Sequence, residues 1–264
     1  MCCRQPPQPS RRIILLGASN LTRGLSIVVE TARRLFDNEP LHIFAAVGHG
    51  RAYGLSSRVL VRSLPSILDC GLWEAIEHQA DEAPPCALVT DIGNDFIYGR
   101  PPEESIRHVG ECLDRLRKLE ARIIITQLPI ASLRTVPRWR FELVRALLYP
   151  SHHLNFDEAL AGAEEMNECL CDLAARRGIP AIGMDAAWYA LDPIHIRRAH
   201  LAEAWARVLS PWRDDPPAVR AAGSLRRWLS VRRAMPERWW LLGSARRTPQ
   251  PAARLPDGTV LCAY

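Results

Sequence analysis

Five short apolar runs, each followed by a loop and then by helix-periodic sequence, constrain this chain more than any other feature. They are residues 12–17 (RIILLG), 41–47 (LHIFAAV), 86–92 (CALVTDI), 122–128 (RIIITQL) and 180–184 (PAIGM). A run that is apolar at consecutive positions suits a strand buried on both faces. Between the runs, Leu21 to Phe36 carries Leu21, Leu25, Val28, Val29, Ala32 and Phe36 at helical spacing. Glu103 to Leu119 does the same with Ile106, Val109, Cys112, Leu113 and Leu116. Val59 to Gln79, broken at Pro65 and Gly71, reads as helical. So do Val136 to Leu148, Asp157 to Arg177 with Gly178 as C-cap, and Ile196 to Leu209. Strands alternating with helices imply an α/β fold with a five-stranded parallel sheet covered on both faces. Such sheets place their sites in loops beyond the carboxyl ends of the strands, so a reactive group should follow a strand.

Composition narrows the class. The 264 residues, 48% hydrophobic and 24% charged, can bury a full core, which excludes disorder over most of the chain. Arg, Asp, Glu or His interrupts every apolar stretch well short of the ~18 residues of a membrane span, so no stable membrane insertion is expected. The opening MCCRQPPQPSRR lacks the apolar core of a secretory signal. Residues 1–10 read as a flexible arm. Cys86, Cys112 and Cys169 sit in apolar patterns, and none of the eight cysteines forms a C-x-x-C. They read as free thiols in a reducing compartment, and a cytoplasmic location is expected.

The formal net charge of +5 is uneven. Residues 1–210 hold 24 basic and 25 acidic side chains, whereas residues 211–264 hold 10 arginines against 4 acids. That C-terminal extension is also Trp-rich, with Trp212, Trp228, Trp239 and Trp240, and ends with an Asp257-Gly258 turn before a short strand. A membrane-surface or nucleic-acid role uses such a mixture. The interleaving without a motif instead favours tryptophans packed on the domain and arginines turned outward, walling or covering the cleft.

Four loops hold the reactive side chains. Gly17-Ala18-Ser19-Asn20 follows the first strand and opens a helix, so Ser19 is either a nucleophile beside free backbone N–H groups or a plain helix cap. Gly48 and Gly50 follow the second strand, where a glycine admits close approach of a backbone N–H or makes a simple turn. Asp91-Ile92-Gly93-Asn94-Asp95 follows the third, where the Asn94 amide can donate to an oxyanion or serve the loop. Asp192-Pro193-Ile194-His195 follows the fifth, where a carboxylate can hold one imidazole nitrogen and leave the other as base, or cap the next helix.

This order of blocks resembles the SGNH hydrolases, or GDSL-type esterases, over roughly residues 12–209. The resemblance implies a flavodoxin-like three-layer sandwich. It implies Ser19 as nucleophile, His195 as base and Asp192 as its orienting acid. It also implies an oxyanion hole from the N–H groups of Ser19 and Gly50 (Gly48 being the alternative) and the Asn94 side chain. Ala18 stands where the family has Asp, and Ile92 where it has Gly. Domain boundaries at 11–210 and 211–264 follow. Arg51 and Tyr53, in the second block, are the candidate substrate contacts.

The function implied is a serine-dependent hydrolase of a small or carbohydrate-linked acyl ester, working through an acyl-enzyme without cofactor, metal or nucleic acid. Its alternatives are a catalytically silent binding protein of the same fold and an acyltransferase. Competing chemistries find little support. Gly24 comes too late for a dinucleotide fingerprint after Gly17, and Asp114 stands four before Lys118, the only lysine, which excludes a Tyr-x-x-x-Lys pair. No Gly-Lys-Ser/Thr exists for a P-loop. The adjacent His152 and His153 cannot face one metal together from a helix or strand.

Overall fold

The computed structural model describes residues 11–78, 83–139 and 155–264. The expected arm at residues 1–10, most of the expected helix at 136–148 and the His152-His153 pair lie outside the described residues.

The central strand is β1 (Arg11–Leu16), and its side chains explain the layers. Ile13 and Leu15 face one side, against Leu21, Leu25, Val28 and Ala32 of α1 (Ser19–Leu35). Ile14 and Leu16 face the other, in the cluster that holds Val109, Cys112 and Leu113 of α4 (Pro102–Lys118). All four β1 side chains are essentially inaccessible to water, which contributes ~1.5–3 kcal/mol for each. Consecutive apolar residues in β1 thus serve two cores, one on each face of the sheet.

Parallel neighbours complete the expected sheet. β2 (Leu41–Ala46) pairs with β1, followed on the other side by β5 (Cys86–Val89), β6 (Arg122–Thr126) and β7 (Ala181–Ile182). The helix α6 (Phe156–Arg176) joins α4 on one face. On the opposite face α7 (Leu201–Leu209) lies beside α1. There Trp205 sits so close to Gly24 that a Cβ would stand 2.3 Å from its Nε1.

The main sheet has seven strands, not five: β11 (Val260–Ala263) and then β10 (Ala253–Arg254) lie beyond β2, giving the order β10-β11-β2-β1-β5-β6-β7. Both additions come from the C-terminal stretch. β11 pairs parallel to β2, with Val260 opposite His42, and β10 pairs antiparallel to β11. The apolar Val260, Leu261 and Cys262 are buried there and cover an edge of β2 that would otherwise be open. Trp212 is also buried, and Arg227 of α8 (Leu225–Arg233) donates to Glu30 of α1 at 2.6 Å.

The helix expected over 59–79 is mostly absent. A hairpin of β3 (Ser57–Val59) and β4 (Arg62–Leu64) takes its first part, and only α2 (Leu72–Glu77) is helical. The reason is a partner remote in sequence. A second hairpin, β8 (Arg238–Leu241) with β9 (Ser244–Arg247), pairs antiparallel to β4 and makes a separate four-stranded sheet. Arg62 lies over the Trp239 ring at 5.0 Å across that pairing. Each hairpin turns on a leucine at positive φ, Leu60 at 54° and Leu242 at 51°.

Cys86 and Cys112 are buried free thiols, and burial pushes Cys86 up to about 11 and Cys112 further from its ordinary range. Cys169 is only half-buried. Among the described residues no helix is long and apolar enough to cross a membrane.

Candidate active site

The carboxyl ends of β1, β2, β5 and β7 bring the four sequence blocks to one end of the sheet, as parallel strands must. Ser19 is the first residue of α1. Its Oγ lies 2.8 Å from His195 Nε2, across 176 residues of sequence. His195 Nδ1 lies 2.7 Å from Asp192 Oδ2. With Nδ1–H donated to the carboxylate, Nε2 accepts from the serine hydroxyl, so one proton path links the three side chains. Burial raises the Asp192 pKa, but the His195 hydrogen bond and charge, the Ile194 N–H and Arg23 outweigh it and hold the carboxyl below its ordinary range.

Ser19 is free for this contact because another residue caps its helix. Asp91 Oδ2 accepts from the Ala18 N–H at 2.9 Å and the Leu21 N–H at 3.0 Å. Asp91 itself adopts φ 56°, a left-handed conformation that Asp tolerates better than most residues. The turn at Ala18 therefore receives its carboxylate from the third block. The alternative of Ser19 as helix cap fails: no N–H of the first turn donates to the Ser19 hydroxyl, and the capping acceptor is Asp91.

Asn20 joins the first and last blocks. Its Nδ2 donates to Ile194 O at 2.7 Å and to Asp91 Oδ1 at 2.8 Å, and its Oδ1 accepts from the Ile196 N–H at 2.8 Å. The peptide on both sides of His195 is thus held by the residue next to Ser19. Asn20 is buried, so these partners replace water.

The second and third blocks interlock in the same way. Asn94 Nδ2 donates to Arg51 O at 2.7 Å, leaving its other N–H unassigned. The Tyr98 hydroxyl donates to Gly50 O at 2.7 Å. The buried Asp95 accepts from the N–H groups of Tyr53 and Gly54 at 2.7 and 2.8 Å, and His108 Nδ1 lies 3.0 Å from it. Gly50 has φ 65°, and a Cβ there would meet Val59 Cγ2 at 2.5 Å. Among the described residues, neither the Ser19 nor the Gly50 N–H donates to a protein acceptor. Unspent donors of this kind favour an anion.

Two expected substrate contacts are corrected. Arg51 is fully buried, and its Nη1 donates to Tyr264 O. Tyr53 is buried as well, its hydroxyl donating to Thr90 O at 2.7 Å and to Leu16 O at 3.2 Å. Tyr53 caps carbonyl groups at the ends of β1 and β5, and Arg51 anchors the loop from beneath, so neither side chain faces a ligand. Ile92 packs in the core with Met166 and Leu128. His49, between the two loop glycines, is held below the ordinary imidazole range by desolvation, then by His195, Arg23 and Arg62.

Two surface clefts of about 420 and 550 Å³ lie between α4 and α6 and at the amino end of β6, and share no residue with these blocks. Neither holds a hydroxyl or thiol hydrogen-bonded to a base, so neither competes as a site for chemistry.

No protein-family model matches the sequence, and no curated protein does. Among solved structures, a carbohydrate acetylesterase family member from Sinorhizobium meliloti is similar at 13% identity and a TM-score of 0.52, over 77% of this chain and 97% of that one. Est24, a carbohydrate acetylesterase from the same organism, is similar at 15% identity and a TM-score of 0.49, over 75% of this chain and 94% of its own. A member of the lipolytic protein G-D-S-L family from Veillonella parvula is similar at 15% identity and a TM-score of 0.47, over 76% of this chain and 96% of its own. The likeness to the first is one of fold, and that fold is the one the SGNH resemblance implies.

Proposed function

We propose that this chain is a serine-dependent acyl-ester hydrolase that works through an acyl-enzyme. One observation carries the reading: Ser19 Oγ, His195 Nε2, His195 Nδ1 and Asp192 Oδ2 form a continuous path with contacts of 2.8 and 2.7 Å. In the first half-reaction His195 takes the hydroxyl proton as Ser19 Oγ bonds to the ester carbonyl carbon. The carbonyl oxygen becomes an oxyanion, received by the N–H groups of Ser19 and Gly50 and the second N–H of Asn94. His195 then gives its proton to the leaving alcohol. In the second half-reaction it takes a proton from water as the water oxygen bonds to the acyl carbon; the bond from that carbon to Ser19 Oγ then breaks, the carboxylic acid leaves and His195 returns the proton to Ser19 Oγ.

Asp192 stays ionised throughout, and its depressed pKa suits that role. The substrate class proposed is a small or carbohydrate-linked acyl ester. Purified wild type should hydrolyse short p-nitrophenyl esters or acetylated sugars and label with a fluorophosphonate at Ser19, and Ser19→Ala should do neither. Turnover retained by Ser19→Ala would overturn the mechanism. Failure of wild type to label would favour a silent binding protein.

A further inference from the structure

Beside this site stands an apolar knob that no folding requirement explains. The turns of the two hairpins meet where the Leu242 N–H donates to Val61 O at 2.8 Å. Leu60, Val61 and Leu242 are 83%, 46% and 71% exposed, and Val59 is next to them. Leu60 and Leu242 both hold positive φ, where Gly, Asn or Asp is the ordinary choice. Each leucine therefore bears two unfavourable conditions, a left-handed backbone and a hydrated side chain, with no core contact in return. Function is the usual reason for such a combination.

The knob is placed with respect to chemistry. Val59 Cγ2 is the atom nearest a Cβ built on Gly50, so the hairpin abuts the loop that offers the Gly50 N–H. Two further exposed apolar residues, Leu191 and Ile194, directly precede Asp192 and His195.

Charge selects the occupant. The four strands of this sheet contain Arg58, Arg62, Arg238, Arg246 and Arg247 and no acid. Glu237, just before β8, approaches Arg238 at 3.7 Å. Among the described residues no carboxylate pairs with Arg58, Arg62, Arg246 or Arg247; the Arg58 Nε donates to Leu60 O at 3.1 Å, and the buried Arg62 Nε has no hydrogen-bond partner. Trp239 and Trp240 lie half-buried among them. Leucines at the tip, indoles behind and guanidinium groups mostly without a carboxylate partner around them match the depth order of a membrane interface: acyl chains, headgroup boundary, anionic phosphate.

We propose that the four-stranded sheet docks reversibly on an anionic phospholipid surface, Leu60, Val61 and Leu242 entering the acyl boundary and Arg58, Arg246 and Arg247 facing headgroup phosphates. The active-site end is thereby brought to esters displayed at that surface. The docking does not depend on turnover; only its catalytic purpose rests on the hydrolase reading.

The test is flotation of the full chain with phosphatidylglycerol/phosphatidylcholine vesicles and with pure phosphatidylcholine vesicles. Wild type and Ser19→Ala should float equally with the anionic vesicles, bind neutral ones at least tenfold less, and be released by high salt. L60N/L242N relieves the left-handed strain and so should fold at least as well. It should lose at least tenfold in vesicle affinity while soluble-ester hydrolysis is unchanged. No flotation of wild type at low salt would overturn the proposal, as would binding indifferent to lipid charge or to L60N/L242N. A wild-type dimer that becomes monomeric in L60N/L242N, without vesicle binding, would overturn it by assigning the knob to self-association. Because Ser19→Ala binds without reacting, an inert serine would leave the docking result intact.

Discussion

Asp91 caps the helix that begins with Ser19, accepting N–H groups from the residue before the serine and from two residues after it. A serine at a helix start is ordinarily drawn into that role itself. Here the carboxylate arrives from the end of a neighbouring strand, so the hydroxyl is left to the imidazole.

Asp91→Ala should lower stability by ~0.5–2 kcal/mol, the usual range for a lost cap. Two backbone donors and the Asn20 amide lose an acceptor together. Asp91→Asn keeps an oxygen acceptor and should cost less. Denaturant midpoints of the two variants check the order; equal midpoints to wild type would remove Asp91 from the capping role.

Asn20 should behave as a positioning residue. Loss of its grip on Ile194 and Ile196 lets His195 drift from Ser19, and misplacement of about 1 Å costs ~10²-fold in turnover. Asn20→Ala is expected to lower kcat by that order with KM little changed. Asn20→Asp, though nearly isosteric, should be worse, because its carboxylate would face both Asp91 Oδ1 and Ile194 O. Steady-state kinetics on the pair decide this, and a variant Asp more active than the variant Ala would contradict it.

Asp192→Asn should lower kcat by about 10⁴-fold by leaving the imidazole in the wrong tautomer. The same carboxylate links stability to pH. Its folded pKa lies below the ordinary 3.8, so its stabilisation is complete above that value and disappears as pH falls through the lower folded value. Thermal melts of wild type and Asp192→Asn should therefore differ near neutral pH and converge in strong acid. The half-exposed position of Asp192 keeps that difference small.

Gly50→Ala should reduce kcat by ~10²–10³-fold, the measured scale for loss of one oxyanion donor. The added methyl would strike Val59 Cγ2 at 2.5 Å and the Tyr98 hydroxyl at 2.8 Å at φ 65°, so the loop must shift. Initial-rate measurements on a short ester check it, with unaltered kcat as the contrary result.

Legibility in the sequence followed the range of the interactions. The parallel strands could be read because Ile13, Ile14, Leu15 and Leu16 are buried on both faces and so leave an unbroken apolar run. The first three blocks could be read because each lies directly after such a run, and the fourth because an acid and a histidine stand three apart beyond the last run. Asp91 and Asn20 gave no comparable signal: a capping carboxylate 73 residues from its N–H donor has no local pattern. Asn20 looked like any polar residue opening a helix. Arg51 and Tyr53 were misjudged because a loop beside a site has an inner and an outer side, and residue type does not say which is taken. Val59 to Leu64 was misjudged because β4 is a strand through its pairing with β8, far along the chain.

The pairing of β11 with β2 has a kinetic consequence. Leu41 and Thr259, which hydrogen-bond beside this pairing, are separated by 218 residues. While the chain emerges from a ribosome, β2 must wait for its outer neighbour until the 218 residues from Leu41 to Thr259 have been added. For that interval the nascent sheet presents an apolar, adhesive margin, the moment at which two growing chains are most prone to stick together. Folding yield should accordingly depend on how soon that margin is covered, and slowed elongation between β2 and β11 would lower it without altering a single residue of the finished protein.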